Sequence, residues 1–306
     1  MNFADRVAEQ VRAKNSIAVL GVDPQLDTPT SPGVPAGYTL ARFCCEIIEA
    51  CAGSIVAIKP QLAFFEARGV DGMRAFCEVL KTARRLGLIT IADAKRGDIG
   101  TTSAAYAEAF LGDGDFAVDA VTVNPYLASD AVMPFIAKIR YGRGVFVLVK
   151  TSNPSSGEFQ DLEASGRPLW ESIAARVNGW GGDFVGASGM SPVGAVLGAT
   201  YPDHARRARQ LMPAAIVLVP GYGAQGATAE PAVAAARADG SGIIVSASRS
   251  LMYAYQKSDG LAPAEASASA AEQMRLELNA ALQRSRPDVV DRASSRESGA
   301  DSRRGT

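Results

Sequence analysis

The chain reads as a single α/β domain of the (β/α)8 TIM-barrel type. Three observations predict this. Eight short apolar runs recur along it, at 16–22, 54–59, 88–95, 117–123, 144–150, 183–187, 214–219 and 242–246. They lack polar alternation, as strands buried on both faces of a parallel sheet do. Helix-like stretches such as 40–51, 72–86, 103–111 and 169–180 separate most of them. A chain of 306 residues accommodates one barrel of roughly 250 residues with extensions. Strands alternating with helices also suit a doubly wound sheet, and the count of eight favours the barrel.

Taken in order, the first run ends in Asp23 and opens a loop, 23–37, that carries four prolines. The second ends in Lys59, ahead of Pro60, which is expected to stop the strand. The third ends in the charged segment Asp93, Lys95 and Asp98. The fifth leads into 151–166, rich in loop residues and containing SNPSSG. The seventh leads into PGYGAQG at 220–226, and the eighth into SASRS at 246–250. Long loops at the C-terminal ends of barrel strands are where such enzymes place their chemistry. Residues 260–284 read as a closing helix, so the barrel domain is assigned to 1–284. The Ser/Arg/Asp-rich segment 285–306 is expected to be a disordered tail, because it has too little apolar surface to offset ordering entropy.

Composition excludes several function classes. A formal net charge of −1 does not suit a polyanion, so no nucleic-acid partner is expected, although a local pocket for one phosphate remains open. No apolar run approaches the roughly 18 residues of a membrane span. The N-terminal segment is amphipathic, without a signal-peptide core, so a cytoplasmic protein with no membrane partner is the expectation. Cys44, Cys45, Cys51 and Cys77 form no CxxC pair, and three share one apolar helical stretch, which points to core packing. The single histidine, His204, lies in a polar helical run. One histidine leaves no triad needing a second, and no metal site is expected. Acid–base chemistry therefore falls to Asp, Glu, Lys or Tyr.

The most informative segment is IADAKRGDIGTT at 91–102. Asp93 and Lys95 are two apart, so on a strand they share a face, and at a strand's C-terminal end that face opens into the barrel mouth. Flanking carboxylates would hold Lys95 as an ammonium, able to neutralise a developing carbanion and deliver a proton to it. The bland alternative is a solvated charged turn capping a strand. Lys59 and Asp23 are equally open: a lysine closing an apolar strand is often a snorkelling residue. The glycines of 220–226 let backbone N–H groups approach an anion, and Arg249 after the eighth run offers a forked cation for phosphate oxygens. Gly221, Gly223 and Gly226 also match GxGxxG, but too little chain follows them to complete a dinucleotide-binding domain.

With these residues in place, the sequence resembles the orotidine 5'-phosphate decarboxylases, most closely a longer-chain bacterial subgroup. The resemblance covers nearly all of 1–284. DxKxxDIxxT is intact as Asp93, Lys95, Asp98, Ile99 and Thr102, and Lys59 stands in IKPQLAFFE. VNPY lies at 123–126, KTSNPSS at 150–156, PGYGAQG at 220–226 and SASRSLMYA at 246–254.

The resemblance implies conversion of orotidine 5'-phosphate to UMP and CO2 without a cofactor, in de novo pyrimidine synthesis. It implies a catalytic tetrad of Lys59, Asp93, Lys95 and Asp98. It also implies a homodimer in which Asp98, Ile99 and Thr102 reach the neighbouring subunit's site. Asp23 and Lys59 are then expected on the ribose and Ser152 on the pyrimidine, with Ser155 and Ser156 as alternatives in the same loop. Gln225 and Arg249 are expected at the phosphate, with the base as a further contact open to Gln225, and Asn124, Pro220 and Gly226 complete the substrate-binding set. Loss of CO2 from C6 would leave a carbanion for Lys95 to stabilise and protonate, with Asp93 beside the departing carboxylate. The loops 151–166 and 220–226 are the expected moving parts. Three rivals remain: a Mg2+-dependent sugar-phosphate barrel sharing DxKxxD, which needs a further acidic ligand; a Schiff-base aldolase using Lys59 or Lys95; and a non-catalytic nucleotide-binding barrel.

Overall fold

The computed structural model describes residues 1–28, 33–199, 202–223, 228–258 and 260–285. Eight parallel strands close into a barrel in sequential order: β1 Ala18–Val22, β2 Ala57–Pro60, β3 Ile89–Arg96, β4 Ala120–Val123, β5 Gly144–Lys150, β6 Ser191–Leu197, β7 Ala215–Pro220 and β8 Ile243–Ala247. The closing pair is β8 with β1, where Ala18 faces Val245. The principal outer helices are α1 Phe3–Lys14, α2 Leu40–Cys51, α3 Leu62–Glu66, α4 Gly69–Arg85, α5 Gly100–Leu111, α6 Ala128–Ile136, α7 Gly157–Gln160, α8 Leu169–Gly181, α9 Pro202–Leu211, α10 Ala229–Ala232, α11 Arg249–Met252 and α12 Pro263–Ser285. The barrel expectation thus holds.

The lumen is packed rather than hollow. Val19, Ala57, Ile89, Ile91, Ala120, Phe146, Ile216 and Ile244 meet inside it. Phe3, Ala4 and Val7 of α1 join that cluster and plug the end where the strands begin. Phe3 meets Phe146 edge-on, with ring centroids 6.0 Å apart. Each such buried ring contributes about 1.5–3 kcal/mol. Helix α1 is held in register by its caps: the Asn2 side chain accepts the Ala4 N–H at 2.8 Å, and Asn15 ends the helix at a left-handed φ of 46°.

One strand assignment is corrected. Residues 183–187 form no strand: Gly182–Phe184 is a 3-10 turn, and the sixth strand is Ser191–Leu197. Its sequence, SPVGAVL, looks like a loop because tertiary packing demands small residues there. A Cβ on Gly194 would lie 2.5 Å from the Ile216 carbonyl oxygen and 2.7 Å from the Phe146 ring. Pro192 falls where pairing with β7 slips between Ser191 and Ala195, so its missing N–H disturbs no regular ladder. Pro60 is itself the last residue of β2, paired with Val22.

Cys44 and Cys51 are buried, Cys45 and Cys77 half-buried, and all four are free thiols. His204 lies on α9, half-buried against the Trp170 ring at 5.3 Å between centroids. Helix α12 runs to Ser285, and 286–306, where the disordered tail was expected, lie outside the described residues. Among the described residues no helix is long and apolar enough to cross a membrane.

Candidate active site

The strands' C-terminal ends surround a cavity of about 330 Å³, within the size range of small-molecule sites. Asp23, Lys59, Asp93, Lys95, Ser152, Pro220 and Arg249 all line it. Seven positions scattered over the chain are thereby brought together by strand order alone.

Asp93 is the hub. Its Oδ2 accepts Lys59 Nζ at 2.7 Å and Gln61 Nε2 at 3.1 Å. Its Oδ1 accepts Lys95 Nζ at 2.5 Å and Thr122 Oγ1 at 3.1 Å. The residue is 6% exposed. Burial alone would push its pKa up, but the Lys59 and Lys95 ammoniums outweigh that and hold the carboxyl far below the usual carboxylate range. For Lys59 burial acts downward, and the Asp93 and Asp23 carboxylates overcome it and raise the pKa. Both groups are therefore charged across the neutral range.

Local geometry explains why Lys95 reaches the same carboxylate. The β3–β4 register shifts between Ala92 and Arg96. Within that irregularity Lys95 adopts φ 46°, a left-handed conformation unusual for a lysine. The Lys95 N–H donates to Thr122 Oγ1 at 3.0 Å. Thr122 thus ties the strained backbone to the carboxylate in one chain of bonds.

Across the mouth, Asp23 is half-buried. Desolvation raises its pKa, opposed by Lys59 and by a hydrogen bond from Ser248. Its Oδ1 and the Ser246 Oγ are buried without a hydrogen-bond partner among the described residues. Both residues line the cavity, so a ligand or water there would meet two unsatisfied oxygens. Gly21 makes room for this arrangement: a Cβ on it would lie 2.0 Å from Ser248 Oγ. Tyr222, also on the wall, donates its hydroxyl to Glu277 of α12, anchoring the start of the glycine-rich loop.

Not every expected residue enters this cavity. Asp98 is half-exposed, its Oδ1 accepting the Ile99 N–H at 2.7 Å. Ile99 is 53% exposed, and Thr102 is exposed on the first turn of α5. Asn124 is exposed beyond β4, its Oδ1 accepting the Tyr126 N–H at 3.0 Å. None of the four lines the cavity of its own chain. Of the three candidate serines, Ser152 lines it, whereas Ser155 and Ser156 do not. Gln225 and Gly226 lie outside the described residues.

Sequence reasoning missed Gln61, Thr122 and the cavity-lining role of Ser246. The signal existed for two of them. Gln61 is two residues past Lys59 and so shares its face, and Thr122 is a polar residue between valines on a buried strand. Among the described residues no group of three or more His, Cys, Asp or Glu side chains is placed to hold a metal ion.

Comparison with known proteins places the chain in a family and agrees with the barrel fold. A family model described as the orotidine 5'-phosphate decarboxylase / HUMPS family matches residues 26–260. The chain is 42% identical over 276 residues to an orotidine 5'-phosphate decarboxylase of Rhodopirellula baltica, covering 85% of this chain and 91% of that one. It is also 42% identical over 282 residues to the Deinococcus radiodurans protein of the same name, covering 92% and 98%. Among solved structures, the OMP decarboxylase of Leishmania donovani superposes with a TM-score of 0.74 at 34% identity, covering 92% of this chain and 99% of that one. On similarity of this extent, the chain belongs to the orotidine 5'-phosphate decarboxylase / HUMPS family.

Proposed function

We propose that this cavity decarboxylates orotidine 5'-phosphate to UMP and CO2, a carboxy-lyase reaction of pyrimidine biosynthesis. The observation that carries the reading is the Lys59–Asp93–Lys95 array, in which Lys59 and Asp93 are buried, Lys95 is open to the mouth, and both carboxylate oxygens of Asp93 are engaged by ammonium groups. The relatives described above bear the decarboxylase name rather than that of another family member.

In this reading the bond from C6 to the carboxylate breaks and its electron pair stays on C6. The Lys95 ammonium faces that developing charge and transfers a proton to C6, and the neutral amine regains a proton from solvent. The bond to Asp93 aims the Lys95 ammonium beforehand, so little reorganisation accompanies the charge development. Lys59 and Asp23 hold the ribose, Ser152 meets the pyrimidine, and Arg249 with the loop after β7 takes the phosphate. Charge neutralisation by lysine replaces a metal or organic cofactor in this scheme. Binding the phosphate, remote from C6, supplies energy that is used in the transition state.

The same reading makes the enzyme a homodimer. Gly97 approaches Asn124 so closely that a Cβ on it would lie 2.9 Å from the Asn124 carbonyl oxygen, so the segments after β3 and β4 run side by side. Ile99, Tyr126, Leu127 and Met133 expose large apolar side chains on this region. A second copy docked there would bring the partner subunit's Asp98, Ile99 and Thr102 to the mouth.

The test is loss of orotidine 5'-phosphate absorbance with purified protein in excess EDTA, beside Lys95→Ala. Turnover by the wild type alone supports a metal-free decarboxylase centred on Lys95. Absence of turnover by folded wild type would instead favour a metal-dependent sugar-phosphate reaction.

A further inference from the structure

Lys150 closes β5 and is 2% exposed, yet it does not line the cavity. Its ammonium bonds Asp161 Oδ1 at 2.7 Å and Ser156 Oγ at 3.4 Å. A second clip spans the same gap. Gln160 Oε1 accepts the Thr151 N–H at 2.9 Å, and Gln160 Nε2 donates to Thr151 Oγ1 at 2.7 Å. That hydroxyl donates onward to Asn153 Oδ1 at 2.6 Å. The segment 150–161 is therefore fastened end to end, with a 3-10 turn at Pro154–Ser156 and helix α7 filling its interior.

The fastened segment is also pressed against β6. The Gly198 N–H donates to the Lys150 carbonyl at 2.8 Å. A Cβ on Gly198 would lie 2.8 Å from Ser152 Cβ and 2.9 Å from its backbone nitrogen. Ser152 thus packs against a bare glycine backbone, lies in sequence within the fastened segment, and reaches the cavity wall.

We infer that Lys150, Gln160 and Asp161 are positioning residues that hold Ser152 in its substrate-facing place. They form a latch on the loop after β5, outside the cavity itself. The inference rests on the reading that Ser152 contacts the pyrimidine. A closed clip orders the loop before substrate arrives, so binding does not bear that ordering cost. The ion pair is sheltered on the lysine side, where 3% of the side chain is exposed, and open on the aspartate side, at 46%.

The experiment is a double-mutant cycle on UMP affinity and on kcat and KM, with Ser152→Ala crossed against Asp161→Asn and, separately, against Gln160→Ala. The latch predicts that Asp161→Asn raises the UMP Kd and KM about tenfold, as does Ser152→Ala, and that the double variant is no worse than the worse single one. Gln160→Ala, which leaves the buried lysine paired, shows the same coupling in smaller measure and keeps the test readable if Asp161→Asn does not fold. Penalties that multiply in the double variants overturn the inference. So does an Asp161→Asn protein that binds UMP like wild type while Ser152→Ala does not. If Ser152→Ala itself binds UMP normally, the reading of Ser152 fails, and the latch as a substrate-positioning device fails with it.

Discussion

Lys95 Nζ lies 2.5 Å from Asp93 Oδ1, two residues upstream on the same strand, and the lysine backbone is left-handed at φ 46°. Alternation alone puts the pair on one face, and the irregular turn sets the ammonium against the carboxylate. Such a backbone costs of order 1–3 kcal/mol and persists only where the surroundings over-determine it. Here the Lys95 N–H bond to Thr122 and the two-point hold on Asp93 do so.

Replacing Lys95 by Ala should therefore abolish turnover, by about 10²–10⁴-fold or more in kcat, without loss of fold. Thermal melting of the variant should fall modestly below wild type, because alanine keeps the Cβ that strains the left-handed backbone and the buried Asp93 loses one of its two ammonium partners. UMP affinity, measured by calorimetry, should change far less than kcat.

Asp93→Asn should cost much more stability, about 3–5 kcal/mol, because it leaves the buried Lys59 without its carboxylate. The sign of the pH dependence follows. Asp93 has a depressed pKa when folded, so its contribution is present above the unfolded value of about 3.9 and is lost as pH falls towards the folded value. Lys59 has a raised pKa, so its contribution is present below about 10.4 and is lost as pH rises through the folded value. Urea midpoints from pH 2 to 7 should show an acid limb in wild type that is flattened in Asp93→Asn.

Arg249→Ala should weaken UMP binding by roughly 10–100-fold, the worth of a charge-assisted hydrogen bond of about 1.5–3 kcal/mol, while uridine binding stays unchanged. Equal losses for nucleotide and nucleoside would remove Arg249 from the phosphate.

Asp98→Asn and Lys95→Ala proteins, each inactive alone, should regain part of wild-type activity when mixed and allowed to exchange subunits. In a mixed dimer one mouth would hold an intact Lys95 and an intact Asp98 from different chains. No recovery despite measured exchange would place Asp98 outside the site.

Gly194→Ala should destabilise the barrel by about 1–3 kcal/mol or more, because the new methyl meets the Ile216 backbone and the Phe146 ring. A melting temperature equal to wild type would contradict the packing described for the sixth strand.

The amino-acid sequence by itself determined the barrel, seven of its eight strands in outline, and the residues of the charged array. Strands buried on both faces read as apolar runs, and functional side chains at their ends interrupt those runs with charge. It also limited acid–base chemistry to carboxylate, lysine and tyrosine, because it holds a single histidine. Only the tertiary structure decided the rest. The sixth strand was hidden because Phe146 occupies the space that a larger side chain at position 194 would fill, leaving glycine where valine or isoleucine usually announces a strand. Gln61 and Thr122 became partners of Asp93 only when β2 and β4 flanked β3. Ser152 separated from Ser155 and Ser156 where it packs against Gly198, remote in sequence, a contact that no local pattern encodes. Periodicity reports which face a residue occupies. Which neighbour meets it there depends on strand order, register and the volume of side chains from elsewhere in the chain.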